Sequence, residues 1–74
     1  MSRIEAFGEA VRECRAELGL SQESLAFRSG LDRTYLSGIE RGIRNPTLRT
    51  IFKIAEGLNT SPAVLLGKAE GRLS

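Results

Sequence analysis

Apolar residues in this chain recur at helical spacing in short stretches, most of them opened by a capping residue and closed by Gly or Asn. Clean alternation is absent and β-branched residues are scattered, so a sheet has no pattern to grow from. The first stretch runs from about Arg3 to Leu18. Its Phe7, Val11, Cys14 and Leu18 lie 4, 3 and 4 residues apart, which is one helical face, and Gly19 stops it. Ser21 caps a second helix over residues 22–28, with Leu25 and Ala26 inward. Ser29-Gly30 breaks it, and Leu31 plugs the core at the turn. Asp32 caps a third helix over about 33–41, with Leu36 and Ile39 inward and Gly42 as its end. Pro46 disfavours helix at Asn45, so residues 43–46 form a loop. Thr47 caps a fourth helix over about 48–58, in which Leu48, Ile51, Ile54, Ala55 and Leu58 make a wide apolar face and Asn59 the stop. Ser61-Pro62 opens a short fifth helix to about Leu66. Residues 67–74 read as a flexible tail. The pattern predicts one all-α domain over residues 1–74, with five helices around a single core.

A chain of 74 residues has room for one core, and 41% hydrophobic with 27% charged residues is ordinary for a soluble globular domain. The longest apolar run, Ala63-Val64-Leu65-Leu66, is four residues, whereas a membrane-spanning helix needs about 20. Met-Ser-Arg-Ile-Glu has no apolar leader pattern, so the expected compartment is the cytoplasm, with no membrane partner. Histidine is absent and Cys14 is the only cysteine. That removes the commonest general base, the usual metal sites and any internal disulfide. Neither catalysis nor a cofactor, metal or small-molecule ligand is expected. Cys14 suits the small apolar position of its helical face, and redox sensing is the alternative.

The net charge of +2 is unevenly spread. Residues 21–53 hold Arg28, Arg33, Arg41, Arg44, Arg49 and Lys53 against Glu23, Asp32 and Glu40. Five of the six cations are Arg, whose planar fork suits phosphate and guanine. A solvated surface would account for that charge alone.

The helices on either side of Gly30 supply the rest. Two short helices joined by a Gly-containing turn, the second opening with exposed polar residues, form a helix-turn-helix. The second helix must enter a major groove about 12 Å wide with its first side chains at the base edges. Here those are Arg33, Thr34 and Tyr35, with Ser37 one turn on. Arg33 can pair bidentately with guanine, and Thr34 can touch a thymine methyl. Tyr35 either reaches the DNA or covers the core edge. Gly38 offers no side chain, so it permits close approach and adds no contact of its own. Asp32 serves as an N-cap. Gln22 opens the first helix of the pair, where its amide and the helix N-terminus suit a phosphate. Arg41, Arg44 and Asn45 follow the recognition helix and are expected along the flanking phosphates, Arg44 also within reach of a minor groove. Arg41 could equally neutralise the C-terminal dipole of its helix. Arg28 is expected in solvent.

Three segments, Leu20-Ser21-Gln22-Glu23-Ser24-Leu25-Ala26, Gly30 through Gly42, and Arg44-Asn45-Pro46-Thr47-Leu48, resemble the Cro/CI-type helix-turn-helix family of phage repressors and small bacterial regulators. The resemblance runs from about Phe7 to Leu66. It implies the compact five-helix, lambda-repressor-like fold. Leu-Asp-Arg-Thr-Tyr-Leu-Ser-Gly-Ile-Glu-Arg in a domain this small is most like the controller proteins of restriction–modification systems. It further implies a structural ion pair between Arg15 and Glu40, and a homodimer interface around Asn59, Ser61, Val64 and Leu65. The expected partners are a double-stranded, near-palindromic DNA operator, a second copy of the chain and RNA polymerase. The expected location is the bacterial cytoplasm at the nucleoid. Glu23 and its exposed neighbours are candidates for touching polymerase.

Two other readings compete. One is another small phage- or plasmid-type repressor. The other is an antitoxin-like protein-interaction module, which predicts a long partner-binding tail, whereas eight residues follow Leu66.

Overall fold

The computed structural model describes residues Met1–Ser74. Five helices follow in order: α1 (Arg3–Glu17), α2 (Gln22–Ser29), α3 (Arg33–Glu40), α4 (Leu48–Gly57) and α5 (Pro62–Gly71). Each opens on a side-chain oxygen that satisfies an orphan backbone N–H of the first turn. Ser2, Ser21, Asp32, Thr47 and Ser61 accept from the amides of Glu5, Ser24, Tyr35, Thr50 and Val64. At α1 the cap is reciprocal, because the Ser2 amide donates to Glu5 Oε1 at 2.8 Å. That bond, and then the one from the Ser2 side chain, holds the Glu5 carboxyl below its ordinary value. The cap is therefore complete above the unfolded-state pKa and is lost as pH falls through the folded one.

Gly30 closes α2 in the left-handed conformation (φ 66°), which lets the chain turn within Gly30, Leu31 and Asp32 and start α3. Helix α1 lies against α3 and α5, and α2 against α3 and α4. The buried apolar side chains form one cluster with members from all five helices, the largest being Leu25, Leu36, Ile39, Ile54, Leu65 and Val11. Cys14 belongs to it. Burial pushes its thiol pKa up, against a smaller opposing pull from Lys68.

Three expectations need correction. Leu18 is 50% exposed, because α1 ends at Glu17 and Leu18 is the C-cap, turned out of the helical face. Leu48 is 68% exposed. It is the first residue of α4, two turns before the buried Ala55, and overhangs the core. The third concerns the tail. Helix α5 does not stop at Leu66 but continues to Gly71, so most of the expected flexible segment is helical. Gly67 and Gly71 each weaken a helix by about 1 kcal/mol relative to Ala. Burial of Ala69 against the core and the hold on Arg72 offset this. Arg72 Nη2 donates to Glu13 Oε2 at 2.6 Å, and its Nε lies 3.6 Å from Glu9 Oε1, which ties the end of α5 to α1.

Candidate nucleic-acid interface

Helix α3 has two contrasting sides. Leu36 and Ile39 are wholly buried, while Arg33 and Thr34 are exposed at the first turn and Ser37 is half-buried. Asp32 spends its carboxylate on the Tyr35 amide at 3.2 Å. Its charge is thus held at the helix N-terminus, where the dipole favours it. Tyr35 is half-buried, packs against the core and has its hydroxyl 3.4 Å from Thr50 Oγ1 on α4. It covers the core edge while keeping a partly open ring beside Thr34.

The far end of α3 is fixed by a network. Glu40, 4% exposed, receives Arg15 Nε on Oε2 at 2.7 Å and Arg15 Nη2 on Oε1 at 3.0 Å. Gln22 Nε2 also donates to Oε1 at 3.0 Å. The remaining Arg15 nitrogen, Nη1, donates to the Leu20 carbonyl at 2.8 Å. One guanidinium therefore joins the end of α1, the turn before α2 and the end of α3. The hydrogen bonds that Arg15 donates to Glu40 raise the Arg15 pKa further. The family resemblance implies the pairing of Arg15 with Glu40, and Gln22 joins it as a third member that neither the resemblance nor the spacing indicates. With one amide hydrogen bond committed to Glu40, the Gln22 side chain keeps its oxygen and a second N–H at the opening turn of α2.

Arg41, Arg44 and Asn45 are all exposed in the segment leading from α3 to α4. Arg33 is exposed at the other end of α3, so three of the chain's arginines lie at the surface on this helix and its exit segment. Gly38 is not an open gap. It is buried, and the stem of Arg44 lies over it. Arg28 is exposed, without a hydrogen-bonded partner.

The expected self-association residues divide. Leu65 is fully buried in the core, so it cannot meet a second copy and is withdrawn from that set. Leu65 and Ala69, four residues apart on α5, share the inward face that closes the bundle. Val64 is 50% exposed, and Asn59 and Ser61 lie at the surface between α4 and α5. Phe52, 55% exposed on α4, was not singled out. The signal was present, since Phe52 falls outside the 51–54–55–58 spacing of the inward face.

Known proteins share this arrangement. The family profile described as Helix-turn-helix matches residues 11–65. Over 61 residues the chain is 49% identical to the control protein C.BamHI of Bacillus amyloliquefaciens, spanning 81% of this chain and 75% of that one. The crystal structure of the restriction-modification controller protein C.AhdI from Aeromonas hydrophila superposes with a TM-score of 0.82 at 52% identity, covering 84% of this chain and 94% of that one. C.Esp1396I bound to a 19 base pair DNA duplex superposes at 0.90 with 35% identity, covering 100% and 99%. An exposed polar helix start over a buried apolar face, in a chain this similar to those proteins, places it among regulators and not enzymes: it belongs to the helix-turn-helix family of DNA-binding transcriptional regulators, alongside the restriction-modification controller proteins.

Proposed function

We propose that the chain acts as a homodimer on a near-palindromic operator and controls the genes of a restriction–modification system. The observation that carries this is the exposed Arg33 and Thr34 at the start of α3, with Arg41, Arg44 and Asn45 exposed in the segment that follows it, on a chain that aligns end to end with a DNA-bound relative. Arg33, Thr34 and Ser37 read bases in the major groove, with Tyr35 adding contact from its half-open ring. Gln22, Arg41, Arg44 and Asn45 hold the flanking phosphates. Asn59, Ser61 and Val64 meet the second copy, which sets two α3 helices about 34–36 Å apart in successive major grooves. Occupancy beside a promoter then blocks RNA polymerase or recruits it.

Selection of random duplex DNA by the purified protein, with the bound pool sequenced, tests the reading. Enrichment of a near-palindrome with half-sites about ten base pairs apart supports a dimeric reader. Salt-sensitive retention without enrichment would leave only non-specific phosphate binding. It would move an interaction-module role ahead.

A further inference from the structure

The recognition helix carries glycine at position 38, in the turn after Thr34 and Ser37. A Cβ built there would meet Arg44 Cγ at 2.6 Å, Cβ at 3.5 Å and Cδ at 3.7 Å. No other group outside the helix's own backbone comes nearer, so the space over Gly38 is filled by the aliphatic stem of an arginine from the exit loop. The backbone makes the same junction. Gly38 O accepts from the Ile43 amide at 3.0 Å and the Arg44 amide at 3.2 Å. Arg44 itself has no ion pair and no side-chain hydrogen bond within the chain. Its charged end is therefore uncommitted, while its stem is held.

We infer that Gly38 is a positioning residue for Arg44: the missing side chain on α3 is the seat that lays the Arg44 stem across the recognition helix and presents its guanidinium to DNA. The helix and its exit loop then form one reading surface, and a residue 6 positions downstream supplies the cation that position 38 lacks. The atom met is Cγ, so the stem must turn about χ1 to make room, and the exposed guanidinium has no partner within the chain to hold it back. An added methyl at 38 is accordingly felt in DNA binding and not in stability.

This rests on the reading of Arg44 as a DNA contact, and the experiment separates the two. The operator affinity and Tm are measured for Gly38→Ala, Arg44→Ala and the double variant, on the duplex enriched by selection. Arg44→Ala should weaken binding about tenfold and reduce the salt dependence by about one ion. Gly38→Ala should reproduce most of that loss with Tm within about 2 °C, since Ala favours helix. The double variant should bind like Arg44→Ala to within about twofold, because the methyl then has no stem to displace. Unchanged affinity in Arg44→Ala overturns the DNA role of Arg44 and this inference with it. Weakening in Arg44→Ala with wild-type affinity in Gly38→Ala, or additive losses in the double variant, overturns the positioning role alone. So does a Tm loss in Gly38→Ala that Arg44→Ala does not relieve, because the methyl would then strike something other than the stem.

Discussion

Arg15 and Glu40 meet side-on, with Nε and Nη2 of the guanidinium on the two carboxylate oxygens at 2.7 and 3.0 Å. The Glu40 side chain is 1% exposed and the Arg15 side chain 16%. Removing either partner is not symmetrical. Arg15→Leu leaves a buried carboxylate held by Gln22 alone and should cost about 3 kcal/mol. Glu40→Leu frees an arginine that can still swing toward water, and should cost less. The double replacement should cost less than the two single losses added together, because no buried charge remains unpaired. Urea denaturation of the four proteins measures this, and strict additivity would mean that the pair is not coupled.

Gly8 sits where α1 crosses the end of α3. A Cβ there would run into the Ile39 carbonyl oxygen and lie 2.8 Å from that of Glu40. Two effects oppose each other in Gly8→Ala. Helix propensity favours Ala by about 1 kcal/mol. Overpacking against backbone costs about 1–3 kcal/mol, and carbonyls fixed in a helix cannot swing aside as a side chain can. The clash should win, with a lower urea midpoint, whereas the same change at Gly67, which meets nothing within 4 Å, should stabilise. If both substitutions stabilise, the α1–α3 approach is looser than described.

Cys14 is 8% exposed and its thiol pKa is raised, chiefly by burial. A raised folded pKa contributes stability that is complete below the unfolded value of about 8.5 and is lost as pH rises through the folded one. Stability should therefore decline on the alkaline side of that value, and Cys14→Ser should flatten the decline. Alkylation of the folded protein by iodoacetamide at pH 8 should be slow and should accelerate in denaturant. Rapid modification of the native protein would contradict the burial and reopen a redox role.

Helix starts were legible because a cap is a local event: Ser21, Asp32, Thr47 and Ser61 each act on an amide three residues ahead. The two-sided character of α3 was legible for the same reason, since Leu36 and Ile39 share a face by spacing alone. What escaped depends on distant partners. Nothing local extends α5 through Gly67, but Ala69 packs into the core and Arg72 reaches Glu13 on α1, 59 residues away in sequence. Leu65 is apolar and suits either the core or an interface by sequence, and only the closure of the other helices over it decides for the core. Gly38 reads as an empty position until the loop returns Arg44 to it. Gln22 looks free for phosphate until α3 brings Glu40 within reach.

Arg33 and Gln22 should differ in how their loss is felt. Arg33 stands exposed at the first turn of α3, where a bidentate bond to guanine distinguishes one base pair from the others. Arg33→Ala should cost about 1–3 kcal/mol on the selected operator and relax preference at one position of each half-site. Gln22 opens α2, and a phosphate presents the same oxygens whatever the sequence. Gln22→Ala should weaken binding evenly across operator variants. It also removes one of three hydrogen bonds on the Glu40 carboxylate, so a stability loss of about 1 kcal/mol should accompany it. Binding titrations against a panel of single-base operator variants, with Tm recorded for each protein, separate the two. A base-specific change in Gln22→Ala, or an even loss in Arg33→Ala, would reverse the roles of α2 and α3 at the groove.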